Sequence, residues 1–253
     1  FHVNSVDPLA TGEVLISARN TWATYLIDEA TVAIVWELGG KQSTFNLAAG
    51  VRFAWQHDAE LLPDGTVSVF DNEASPPEST QSRALDVALN TSAHTATVLR
   101  QLTYPGKPIL SQSQGDVQPL ANGDSFVGWG QAGEVSEFSP TGTLTFDMHF
   151  AAPTNSYRAF RHPWSGHPVT QPALAASGAG ADTQIYASWN GATDVAQWRV
   201  LAGATPSSLQ QIGVYPTQGF ETAITAPTTA PYVRVQALAA NGTLLRTSRV
   251  AKP

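Results

Sequence analysis

His57-Asp58-Ala59-Glu60-Leu61-Leu62 runs through Pro63-Asp64-Gly65 into Thr66-Val67-Ser68-Val69-Phe70-Asp71-Asn72. An apolar run, a glycine turn and a second apolar run are the pattern of a tight β-hairpin. The same unit occurs upstream, where His2-Val3-Asn4-Ser5-Val6-Asp7 leads through Gly12 to Val14-Leu15-Ile16-Ser17-Ala18-Arg19-Asn20. A degenerate third copy begins at Gly115-Asp116-Val117-Gln118 and returns after Gly123 through Ser125-Phe126-Val127-Gly128. The turn glycines Gly12, Gly65 and Gly123 are 53 and 58 residues apart. That spacing is close to the ~40–50 residues of propeller repeats.

Further period-two runs complete each copy. They are 24–28 with 33–37, 84–87 with 95–99, and 135–138 with 143–146. Four short antiparallel strands per copy make a propeller blade, and helical periodicity is nearly absent. Propellers close with four to eight blades. Three blades therefore predict the C-terminal part of a larger propeller, its N-terminal blades lying outside this sequence. The expectation is an all-β protein, with blades over 1–164 and a separate β-sandwich over 165–253.

Bulk composition narrows the function classes. With 42% hydrophobic and 13% charged residues, the 253-residue chain has the makings of a sizeable core. A net charge of −7 with no basic stretch argues against a nucleic-acid surface. There is no cysteine, so disulfides and thiolate metal sites are excluded. No run reaches the ~20 apolar residues of a membrane-spanning helix.

Beyond Arg161-His162-Pro163-Trp164 the composition shifts to Ala, Gly, Thr and Pro. Ile185–Gly191, Val195–Leu201, Pro231–Leu238 and Leu244–Val250 read as strands, with the first strand of this region undetermined. The segment resembles a fibronectin type III domain. The resemblance implies that Trp189 and Trp198 are core aromatics on the second and third strands, and that Tyr232 opens the penultimate strand. Gly178-Ala179-Gly180-Ala181 reads as a loop.

The ordered succession Phe1-His2-Val3-Asn4, Ser17-Ala18-Arg19, Trp36-Glu37-Leu38-Gly39-Gly40, Trp55-Gln56-His57-Asp58 and Phe70-Asp71-Asn72 resembles the arylsulfotransferase family over about residues 1–164. These are propeller enzymes that move sulfate between phenols without a nucleotide donor. The resemblance implies that His57 is the nucleophile that is transiently sulfated. It further implies that His2 and Arg19, which ends the Ser-x-Arg strand, bind the sulfuryl and phenolic oxygens. Small phenolic donors and acceptors and no cofactor follow from the same likeness. No metal is expected, because His2, His57 and Asp58 make only a partial site with no short-range ligand pair. The expected setting is extracytoplasmic or secreted. Oligomeric state is left open.

The chemistry suits these residue types. Neutral imidazole is a competent nucleophile near pH 7. A covalent intermediate divides one hard transfer into two easier displacements. The guanidinium fork fits a tetrahedral oxyanion. His2 can give a proton to the leaving phenolate and take one from the acceptor, and Asp58 is a candidate to orient a histidine ring. His94, His149, His162 and His167 read as structural. Two competing readings are a non-catalytic propeller joined to an adhesion-type sandwich, and a metal-dependent hydrolase or lyase at the same axis. With upstream blades absent, little or no turnover is expected of this piece alone.

Overall fold

The structure, a computed structural model, describes residues 1–253, the side chain of residue 179 excepted. The chain divides into two compact units, Phe1–Arg161 and His162–Pro253. Among the described residues no helix is long and apolar enough to cross a membrane.

The first unit is a partial β-propeller of three blades. Blade one contains β1 (Val3–Pro8), β2 (Glu13–Ala18), β3 (Ala23–Asp28) and β4 (Ile34–Gly39), paired in that order. A two-residue β5 (Asn46–Leu47) runs parallel to the outer strand of the next blade. Blade two contains β6 (His57–Leu61), β7 (Val67–Asp71), β8 (Arg83–Asn90) and β9 (Thr95–Leu102). Blade three contains β10 (Asp116–Pro119), β11 (Ser125–Gly128), β12 (Glu134–Phe138) and β13 (Leu144–His149). All pairings within each blade are antiparallel.

Apolar side chains between neighbouring blades hold them face to face. Leu15, Leu26, Trp36 and Leu38 of blade one pack with Val67, Val69, Leu85 and Val87 of blade two. Phe70 and Ala84 pack with Val127, Trp129 and Phe138 in the next seam. Each such fully buried side chain contributes ~1.5–3 kcal/mol. The first strands of the blades lie together, with β6 against both β1 and β10. Residues at the starts of these strands therefore converge although they are far apart in sequence.

The second unit is a sandwich of a three-stranded and a four-stranded sheet. The first holds β14 (Ala173–Ala179), β15 (Asp182–Ser188) and β18 (Thr222–Ala226). The second is ordered β17-β16-β19-β20, with β16 Gln197–Thr205, β17 Ser208–Pro216, β19 Tyr232–Leu238 and β20 Leu244–Thr247. Ile185, Trp198, Val200, Ile224, Val233 and Val235 form its core.

Three local expectations are corrected. Gly178 is not in a loop: β14 continues through 179 and pairs with β15, leaving a turn at 180–181. Trp189 falls just beyond the end of β15 and is only partly buried against the core. Arg19 does not end a strand; β2 stops at Ala18 and Arg19 opens a single 3₁₀ turn.

Candidate functional site

The hairpin mouths bring the candidate residues together. Gly12 turns the first hairpin at its far end, so His2 and Arg19 meet at the open end, where the Arg19 amide donates to the His2 carbonyl at 2.7 Å. In the second hairpin His57 pairs with Phe70, which places Asn72 at the same mouth. The His2 and His57 rings lie 6.2 Å apart, edge to face. His2 is exposed, Arg19 half-buried and His57 buried.

His57 is held at both ring nitrogens. Its Nδ1 lies 2.7 Å from Asn72 Oδ1, and its Nε2 accepts the Gln114 backbone N–H at 3.2 Å. Asn72 uses its amide nitrogen elsewhere, donating to the carbonyls of Ser111 at 3.2 Å and Gln114 at 2.9 Å. Its oxygen is therefore the atom facing His57, and Nδ1 must carry the ring proton. Nε2 is then the unprotonated, basic nitrogen, and its lone pair accepts the Gln114 amide hydrogen. Burial, aided by the positive charges of Arg19 and His2 and opposed by the Asn72 hydrogen bond, lowers the His57 pKa to about 4. The imidazole is neutral at physiological pH.

Asp58 does not orient His57, contrary to the expectation above. A bulge between His57 and Glu60, with Asp58 at φ 52°, turns its carboxylate toward blade three. There it accepts the Val117 N–H at 3.1 Å and pairs with Arg158 Nη2 at 3.1 Å. Asn72 does the orienting. It closes the Phe70-Asp71-Asn72 stretch, and only the hairpin pairing shows that its side chain reaches His57.

The flanking residues fix the backbone. Gln56 is fully buried and its Nε2 contacts Ser17 Oγ, Ala18 O and Ala23 O at 3.0–3.2 Å. Asn4 Nδ2 donates to the Gln56 carbonyl at 2.6 Å. Asp71 accepts the Ala54 N–H and pairs with Arg83 Nε, both at 2.9 Å. Arg19 Nη2 donates to Gln112 O at 3.1 Å and Ala74 O at 3.4 Å, its guanidinium stacked 4.7 Å above the Trp55 ring.

Sequence reasoning missed the segment 156–161. The Gly115 amide donates to the Tyr157 carbonyl at 3.0 Å, and the Ala159 amide donates to Asp116 Oδ1 at 2.9 Å. This sets the Tyr157 ring 6.2 Å from His57 and puts Arg158 on Asp58. The stretch follows the last blade strand and has no periodicity, so nothing local marked it. Around Arg158 stand three buried or half-buried carboxyl groups, all raised chiefly by burial: Asp58, Glu60 to about 7, and Asp116 to about 8. Among the described residues no group of three or more His, Cys, Asp or Glu is arranged to hold a metal ion.

The other histidines lie elsewhere: His94 in the β8–β9 turn, His149 on the outer strand β13, and His162 and His167 in the second unit. His167 Nε2 is 3.5 Å from Asp194.

Fold and site together define a propeller protein with a buried, tautomer-fixed histidine beside an exposed histidine and an arginine. The chain belongs to the arylsulfotransferase (ASST) family, whose model matches residues 1–151. No curated protein matches the chain. Solved structures similar to it include the β-propeller domain of Cps50 (Swd1) from Myceliophteria thermophila, 12% identical, with 99% of this chain and 74% of that chain covered and a TM-score of 0.41. A streptogramin B lyase structure is 12% identical, with coverage of 99% and 84% and a TM-score of 0.40. A Bacteroides caccae protein of unknown function is 14% identical, with coverage of 98% and 81% and a TM-score of 0.39.

Proposed function

We propose that this protein transfers a sulfuryl group from a phenolic sulfate ester to a phenol, without a nucleotide, through a sulfohistidine on His57. The observation that carries this reading is the Asn72 contact, which puts the proton of a neutral imidazole on Nδ1 and the lone pair on Nε2. Nε2 attacks sulfur, the N–S bond forms and the S–O bond to the aryl group breaks. His2 donates a proton to the departing phenolate oxygen. In the second half His2 removes the proton of the acceptor phenol, whose oxygen attacks sulfur as the N–S bond breaks.

Arg19 offers guanidinium donors for the sulfuryl oxygens, and the Gln114 amide, which must release the Nε2 lone pair before attack, is then free to donate to one of them. A donor preorganised at developing charge supplies ~2.7–4 kcal/mol. The second unit, with its β14-β15-β18 and β17-β16-β19-β20 sheets, buried Trp198 and Tyr232 at the start of β19, is proposed as a fibronectin type III-like module. An extracytoplasmic setting is part of the same proposal, and protease accessibility in intact cells tests it.

The decisive assay incubates the whole protein with 4-nitrophenyl sulfate and a phenol acceptor. Acceptor-dependent nitrophenolate release is expected, and His57→Ala should abolish it. Release that is undiminished in His57→Ala would overturn the nucleophile assignment; no release at all would favour a non-catalytic binding propeller.

A further inference from the structure

A cavity of about 760 Å³ opens beside the site. Asn20, which follows Arg19, and Trp55, two residues before His57, both line it. The rest of its wall brings aromatic rings and cations together. Trp22 and Trp55 meet edge to face at 5.2 Å. A guanidinium covers each of them: Arg19 lies 4.7 Å from the Trp55 ring and Arg52 lies 5.0 Å from the Trp22 ring. Tyr25 adds a third aromatic wall, and Lys41 and Arg52 outnumber the one lining carboxylate, Glu37. Arg52 also reaches Glu78 at 3.6 Å, yet its side chain is 69% exposed, so that pair is weak and solvated.

Two observations set these tryptophans apart from packing residues. Neither belongs to the buried core, and both adopt left-handed backbone, at φ 55° for Trp22 and 60° for Trp55. Bulky residues rarely adopt that conformation, and such strain collects at ligand clamps. The Trp22 Nε1 hydrogen is also covered without an acceptor among the described residues. A buried donor of this kind wants a partner, and a bound polar group would supply one.

Size indicates the ligand class. A cavity of ~150 Å³ is enough to bind benzene, so this one accommodates several rings. We propose that the cavity binds the aromatic body of an extended, anionic phenol: at least two rings, with an acidic group remote from the reacting oxygen. The rings lie against Trp22 and Trp55, and the acid is met by Lys41 and Arg52. This assignment rests on the sulfotransfer reading for the orientation of the reacting oxygen. Occupancy of the cavity does not depend on that reading.

The test is direct binding to the 253-residue chain, by titration calorimetry and tryptophan fluorescence. The probes are 4′-hydroxybiphenyl-4-carboxylate, neutral 4-hydroxybiphenyl and phenol. Affinity should rise in the order phenol, neutral biphenyl, biphenyl acid, with about tenfold between the extremes. Lys41→Gln with Arg52→Gln should erase the preference for the acid and leave the neutral biphenyl unchanged. Trp55→Phe, checked for an unaltered melting temperature, should weaken both biphenyls. Equal affinity for phenol and the biphenyl acid, a charge preference that survives the double variant, or no binding would overturn the proposal. Binding of the acid, alongside nitrophenolate release that is undiminished in His57→Ala, would sink the sulfotransfer reading and leave the cavity assignment standing.

Discussion

Asn72 Oδ1 lies 2.7 Å from His57 Nδ1, and the Asn72 amide nitrogen is committed to two backbone carbonyls. One side chain thus decides which nitrogen of the imidazole carries the proton. The relationship spans a hairpin, fifteen residues apart in sequence and adjacent at its mouth.

Asn72→Ala should therefore impair transfer while leaving substrate affinity nearly intact. The expected fall in kcat is roughly 10–100-fold, taken by analogy from partners that orient metal-ligating histidines. A pH profile separates positioning from mere loss of structure. The Asn72 hydrogen bond raises the His57 pKa, so its removal should move the acid limb of kcat/KM, set near pH 4, further down. An acid limb that stays in place or moves up would contradict the orienting role.

Gln56→Leu should destabilise the first unit without touching the His57 ring. It removes the Gln56 Nε2 bonds to the carbonyls of Ala18 and Ala23; Ala18 keeps the Thr21 hydroxyl at 3.0 Å, while Ala23 loses its side-chain donor. Each unpaired buried group costs about 1–3 kcal/mol. Urea unfolding should show a loss of about 1–3 kcal/mol, and an unchanged midpoint would refute the buried linkage.

Asp116→Asn should change how stability varies with pH. Burial holds the folded Asp116 carboxyl up to about 8, against an ordinary value of 3.8. Between those values the folded chain binds the extra proton, so stability falls as pH rises, by at most ~1.4 kcal/mol per unit. His57 runs the other way: its pKa is depressed from 6.5 to about 4, so its contribution is lost as pH falls through that window. Comparing variant with wild type isolates Asp116. Asparagine keeps an oxygen for the Ala159 amide, so melting temperatures should converge near pH 4 and favour the variant at pH 8. Parallel curves would show that Asp116 is ionised in the folded state.

Gly115→Ala should be strongly destabilising. Gly115 stands where the other two hairpins carry histidine, at φ 104°, and a Cβ there would meet the Phe70 ring at 2.4 Å. Left-handed strain and the clash together imply a cost of at least ~2 kcal/mol, visible as a lowered melting temperature. Near-neutral stability would mean that Phe70 has room to move.

The hairpins at 2–20, 57–72 and 115–130 were legible because glycine turns and period-two apolar runs are local signals. So was Trp198 in the sandwich core, sitting in an alternating strand. β14, β17 and β18 were not legible: their Ala, Gly, Ser, Gln and Thr content gives weak alternation, and pairing partners rather than composition make them strands. Asp58 misled for a related reason, since a bulge rotates its side chain away from its chain neighbour and onto Arg158.

By itself the sequence determined an all-β chain of repeated hairpins, the residue types at their mouths, and the family likeness that singles out His2, Arg19 and His57. Those properties depend on residue order and short-range geometry. Tertiary structure alone decided that Asn72 fixes the His57 tautomer, that Asp58 serves Arg158, that 156–161 returns to β10, and that two strained tryptophans line a cavity beside Arg19. The Asn72 contact closes one hairpin across its mouth, and the others join elements from separate hairpins or blades. Their existence depends on how the packed seams set one strand start against another, which no local sequence signal encodes.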